Sequence, residues 1–324
     1  MREYMLVARK SIRLIFIAIV AAFGLSCHKS NPVIGDQPVY PRIDAYPAWS
    51  PDGKWIIYNH YGITRIDIGG SYTVNPDSEG LWIISPDGGA PQLVMKGSQE
   101  NACWSPDGRW IAFEAGAQIY KAPINENGVD TSNLVQLTYA GRNFFPAWSS
   151  AGEWIAYDSD LDDPNGANVI WIIKSDGTAS SDISQHGKGE WRMPNWSPDG
   201  RLIVHQRYIG VGRPEIFRMD SSGNNPVQLT HDDGFDNYPK YSPNGSKIVF
   251  ESNANVWIMT GDGTNPQQLT TNGGMQPSWS PDGQKIVYVG FTQKEYNPEN
   301  NGTLWVMNSD GSNKHQLTHG PGQN

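Results

Sequence analysis

Asp158, Asp160 and Asp162 alternate along DSDLDDPNG. Carboxylates at every second position are one way a chain offers hard oxygen ligands to a divalent cation. Gly166 follows as a turn residue, but the distal Glu and the spacing of an EF-hand loop are absent. A solvated acidic hairpin explains the run better, and the three carboxylates stand only as weak metal candidates. His60, His205 and His231 are the other ligands to weigh, scattered among seven histidines. A metal site needs three or four converging ligands, which that scatter does not promise. H-E-x-x-H, G-x-S-x-G and the P-loop form are all missing. The expectation is no catalytic set, no metal and no cofactor.

What does recur is a turn. W-S-P-D-G stands at Trp49, Trp104, Trp196 and Trp279, with altered copies at Trp148 (WSSAG) and Tyr241 (YSPNG). Pro presets the first corner, Asp tolerates the second, and Gly takes the left-handed position that other residues avoid. Alternating, β-branched and aromatic sequence follows each copy, as in KWIIYNH, RWIAFEA and SKIVFES. A short stretch such as YPAW or FPAW precedes it, so each copy predicts a β-hairpin. A third strand (LWIISPDG, VIWIIKSDG, LWVMNSDG) and a short fourth (PQLVM, LVQLT, HQLT) complete a unit.

Six such units of roughly 40–50 residues predict an all-β, six-bladed propeller of four-stranded antiparallel blades. A lone blade cannot bury both faces of its sheet, which is why the phrase repeats. The Trp and the Pro-Asp-Gly corner are therefore read as architecture. The Asp box of sialidases, S-x-D-x-G-x-x-W, differs in spacing from S-P-D-G-K-W and is set aside. Each unit has its own fourth strand, so an exchanged strand is not obligatory, although PVYPRI (38–43) could add one at the seam.

The combination P-x-W-S-P-D-G, then I-x-F/Y, then L/I-W/Y-V-M-N-S-D-G, then Q-L-T resembles the propeller repeat of the TolB family, from about Ile43 to Thr318. That resemblance implies a periplasmic partner of the Tol–Pal type. TolB carries an α/β domain ahead of its propeller, and only about twenty residues separate Cys27 from the first W-S-P-D-G here.

The start of the chain is of another kind. Arg2, Arg9, Lys10 and Arg13 precede the apolar run LIFIAIVAAFGL, then Ser26 and Cys27. This is the pattern of an export signal, and the run is short for a membrane span. The Cys resembles a bacterial lipobox, with Gly24 where Leu is usual. The expected organisation is a signal at 1–26, lipidation of Cys27, a linker at 27–42 and the propeller at 43–320. Cys103, the second of two cysteines, has no partner for a disulfide and is expected to be a buried thiol. A net charge of −9 without a basic patch excludes nucleic acid.

Antiparallel strands put the SPDG corners on one face and the variable loops on the other, where binding residues collect. The connections into each first strand carry Tyr46, Phe144, Phe145, Trp191, Arg192, Phe235 and Tyr238 toward the channel mouth. Aromatics and Arg make interface anchors, and the same positions serve blade packing equally well. The expected function is a monomeric, non-catalytic binding module of the cell envelope, lipid-anchored in periplasm or outer membrane. It would recognise an envelope protein or cell-wall component. The alternative is an enzyme acting on extracellular glycan through channel-lining His and Asp.

Overall fold

The computed structural model describes residues 44–66, 72–161, 166–184, 190–209, 213–291 and 302–319. The export signal, Cys27, the linker, PVYPRI and Asp162 lie outside the described residues. Six antiparallel sheets follow one another along the chain. Their first strands, here called strand a, are Asp44–Trp49, Glu100–Trp104, Asn143–Trp148, Trp191–Trp196, Asp236–Tyr241 and Met275–Trp279. Each strand a lies against the strand a of both neighbouring blades, including the first against the last, so these strands ring a central axis. The sheets continue outward in the order a, b, c, d.

The second strands explain the continuous apolar sequence that follows each corner. In Ile56–His60, Ile56 and Tyr58 pack on the sixth blade, with Val287, Leu304 and Leu317, while Ile57 packs on the second, with Ile111 and Phe113. Ile111 and Ala112 divide in the same way between the first and third blades. Successive side chains leave a strand on opposite faces, and here both faces are core. All six apolar clusters span two adjacent blades. Burying each such Ile or Leu contributes about 1.5–3 kcal/mol. The ring is the core.

The corner motif does more than turn the chain. In the first blade Ser50 Oγ donates to Asp52 Oδ1 at 2.7 Å and accepts from Trp55 N–H at 2.9 Å, while Lys54 N–H donates to the same Asp oxygen. The third blade, with Ala151 in place of Asp, keeps the Ser149 Oγ bond to Trp154 N–H. Every corner Gly has φ between +69 and +74°. A Cβ on Gly108 would lie 3.7 Å from Pro51 of the preceding corner, and one on Gly53 would lie 3.4 Å from Pro281. The six corners thus form a collar in which each Gly faces the preceding blade. The indoles add a second tie, Trp104, Trp196 and Trp279 donating to the carbonyls of Ala48, Ala147 and Lys240 in the preceding blade.

Q-L-T is a strand-ending device. In Gln136, Gln228, Gln268 and Gln316 the side-chain amide donates to the carbonyl of the Thr two residues on. The intervening Leu is buried, and the Thr hydroxyl accepts from the start of strand c, as Thr270 does from Val256 N–H. Asp44 N–H donates to Gly302 O across the seam. The first blade inserts a small hairpin, Ile63–Ile66 with Tyr72–Val74, where sequence reading expects a loop. The second blade splits its outer strand around a single 3-10 turn at Thr131–Asn133. Among the described residues no helix is long and apolar enough to cross a membrane.

Candidate functional site

A bulge interrupts strand a in every blade. The bulged residues are Tyr46, Asn101, Phe145, Met193, Tyr238 and Gln276, all with φ between +51 and +55°. That region is strained for residues with a Cβ, by roughly 1–2 kcal/mol each. In five blades Pro follows the bulge, tolerable because strand a is the inner edge of its sheet and that position needs no donor.

An amide exposed by such a bulge needs an acceptor, and in four blades strand b of the preceding blade supplies it. Asn101 N–H donates to Asn59 Oδ1, Phe145 N–H to Glu114, Met193 N–H to Asp158 and Gln276 N–H to Glu251. At the seam the equivalent residue is Val289, and Gln276 Oε1 accepts from Tyr46 N–H at 2.7 Å instead. The acceptors are deeply buried, and burial raises their carboxyl pKa values. Asp158 is pushed up to about 7 and Glu251 to about 8; Glu114 is raised well above the usual range by burial and by nearby Glu100.

Three bulged side chains come from alternate blades and meet one another. The ring centroids of Tyr46, Phe145 and Tyr238 are 6.2, 6.1 and 6.1 Å apart, a near-equilateral triangle of edge-on and tilted rings. Rings from the first, third and fifth blades can all touch only at the axis, so they form a floor across the channel. Arg192 lies beside it, paired with Glu190 at 2.8 Å and with Asp158 at 3.7 Å. On the rim Phe235 is 44 % exposed, with Arg213 over its ring at 5.1 Å, and Ile209 is 48 % exposed.

The other two aromatic candidates have a different setting. Phe144 is buried, and Trp191 is 2 % exposed, stacked on His205 at 4.6 Å with Arg207 over its ring. Asp158 does not belong to a solvated hairpin. It is a fully buried residue of strand b, accepting from Asn168 Nδ2, because the Met193 amide requires an acceptor there. Asp160 instead holds Arg142 through its backbone N–H and guanidinium. The histidines stay apart: His60 binds Asp44, His205 is held near pKa 4 by burial, and His231 is exposed. Among the described residues no group of three or more His, Cys, Asp or Glu is arranged to hold a metal ion.

A closed ring of six four-stranded antiparallel blades, with three aromatic rings meeting at its axis, defines a six-bladed β-propeller. The TolB beta propeller domain profile matches residues 145–324, and the chain belongs to that family. It is 26% identical over 281 residues to an uncharacterised protein of Agrobacterium fabrum, covering 78% of this chain and 86% of that one. A Tol-Pal system protein TolB from Anaeromyxobacter sp. (strain K) is 36% identical over 94 residues, 26% of this chain and 21% of that protein. Among solved structures, a putative TolB from Agrobacterium tumefaciens superimposes with a TM-score of 0.61 at 26% identity, over 75% of this chain and 87% of that one. An oligogalacturonate lyase in complex with manganese shares the fold alone, at 13% identity and a TM-score of 0.54, over 87% of this chain and 79% of that one.

Proposed function

We propose that the protein is a non-catalytic binding module of the bacterial cell envelope that captures a protein partner at the channel mouth. The observation that carries the reading is the aromatic floor of Tyr46, Phe145 and Tyr238 at the axis, with Phe235, Ile209 and Arg192 around it. A half-buried aromatic surface edged by exposed apolar groups and Arg is what interface anchors are made of. Export, lipidation of Cys27 and the divisions at 26 and 42 belong to the same proposal, supported by the basic start and apolar run of the sequence.

The test places a photo-crosslinking residue at Phe235 in cells and identifies the adducts by mass spectrometry. A single envelope protein, lost on Tyr238→Ala, is the expected result. Adducts formed only from positions on the SPDG face would overturn the reading. Radiolabelled palmitate should enter the wild type and not Cys27→Ala; label in neither variant removes the anchor.

A further inference from the structure

Two residues beyond each bulge, toward the SPDG face, a second ring of side chains surrounds the axis. Its members in blade order are Ala48, Cys103, Ala147, Asn195, Lys240 and Ser278. In the first three blades these positions hold two methyl groups and a thiol packed against the seams between blades, while in the last three they hold a carboxamide, an ammonium and a hydroxyl. One half of the ring is small and the other half donates hydrogen bonds.

Lys240 is the unusual member. Protein encloses it so fully that desolvation pulls its pKa down to about 8, yet its side chain is reached by solvent, as befits a group lining an internal channel. An enclosed ammonium ordinarily sits beside a carboxylate, because its desolvation otherwise costs several kcal/mol. No ion pair involves Lys240 among the described residues, and the nearest titratable influence on it is the Cys103 thiol. That thiol offers no charge in return, since burial pushes it up to about 12. The carboxylates Glu114, Asp158 and Glu251 serve the bulge ring and exert no resolved effect on the amine. Asn195 is already oriented: its Oδ1 accepts from Tyr241 N–H at 3.0 Å, immediately after Lys240, which leaves its Nδ2 donors directed away from that bond. A cation, an amide donor and a hydroxyl on three successive blades form a recess with donors and, among the described residues, no counter-charge.

We propose that the channel between the aromatic floor and the SPDG face is a binding site for a small oxyanion, a carboxylate, sulfate or phosphate held by Lys240, Asn195 and Ser278. The site is separate from the partner-binding mouth and stands or falls without it. The anion would neutralise Lys240 inside the ring and tie the fourth, fifth and sixth blades together.

The experiment titrates the purified protein with sodium acetate, sulfate and phosphate at constant ionic strength against sodium chloride, by calorimetry and by thermal unfolding. Saturable heat from at least one oxyanion is expected, with a Tm rise on the order of 5 °C at saturation. Lys240→Met should raise the Tm of the anion-free protein, by removing an unpaired buried charge, and abolish the anion-dependent rise; Lys240→Arg should keep it. An equal response of wild type and Lys240→Met overturns the site. So does the absence of saturable heat from all three anions in the wild type, whatever the variants do.

Discussion

The hydroxyl of Thr318 donates to Asp44 Oδ2 across 2.6 Å, so the outer end of the sixth blade is tied to the innermost strand of the first. Asp44 is fully buried and spends its other oxygen on His60 Nδ1 at 2.7 Å. Ring closure therefore rests on a hydrogen-bonded carboxylate as well as on packing. Thr318→Val keeps the shape and removes the donor, which should destabilise the protein by about 1.5–3 kcal/mol. Urea unfolding measures the loss, and limited proteolysis should find the seam opening first.

The collar predicts which glycines matter. Gly108 and Gly200 have φ near +70°, and a Cβ there meets Pro51 or Ser150 of the preceding corner. Val in either place is strained by its backbone and crowds the neighbouring blade, a loss of about 2 kcal/mol or more in thermal unfolding. Gly88 has nothing within 4 Å of its Cβ position, so Gly88→Asn, a residue that tolerates positive φ, should cost under about 1 kcal/mol.

The buried acceptors give stability a sign with pH. Glu251 and Asp158 hold their protons to about pH 8 and 7 in the folded ring, above the 4.5 and 3.8 of free carboxyls. The native state therefore binds more protons than the unfolded chain between about pH 4 and 8. The stabilisation is complete below that window and is lost as pH rises through it. Tm should fall between pH 5 and 8.5, by the equivalent of about 3–4 kcal/mol per carboxyl. Glu251→Gln keeps an acceptor for Gln276 N–H without a titrating proton, so its Tm should depend less on pH and exceed the wild type's at pH 8.5.

The aromatic residues of the mouth should separate by experiment into two sets. Phe235→Ala should leave Tm within about 0.5 kcal/mol of wild type while weakening partner capture roughly thirtyfold, since anchors typically contribute ~2 kcal/mol. Trp191→Ala removes a buried indole from between His205 and Arg207 and should cost about 3–5 kcal/mol in stability. Paired unfolding and pull-down measurements distinguish them.

The blades were legible because their signals are local. A Pro-Asp-Gly corner and a strand alternating on both faces are written within ten residues of one another, and six copies leave little room for another fold. The seven mouth residues were legible as a group, but not their division. Whether Phe145 reaches the axis while Phe144 packs between blades depends on a bulge, which inverts the alternation at one residue. A Pro after the bulge in five blades was the available hint. Asp158 was misread as part of a solvated turn because its obligation, the amide of Met193, lies 35 residues away in the next blade. Contacts of that range, including the meeting of Gly53 with Pro281, carry no local pattern.

The aromatic floor has an arithmetic consequence. Three rings drawn from every second position around a circle can meet with equal spacing only when the circle has an even number of positions, and at three rings that number is six. A duplicated or deleted blade would break that alternation and leave the closure open. Blade number in this protein is thus fixed twice over, by the packing of its sheets and by three side chains at the centre that have to find one another.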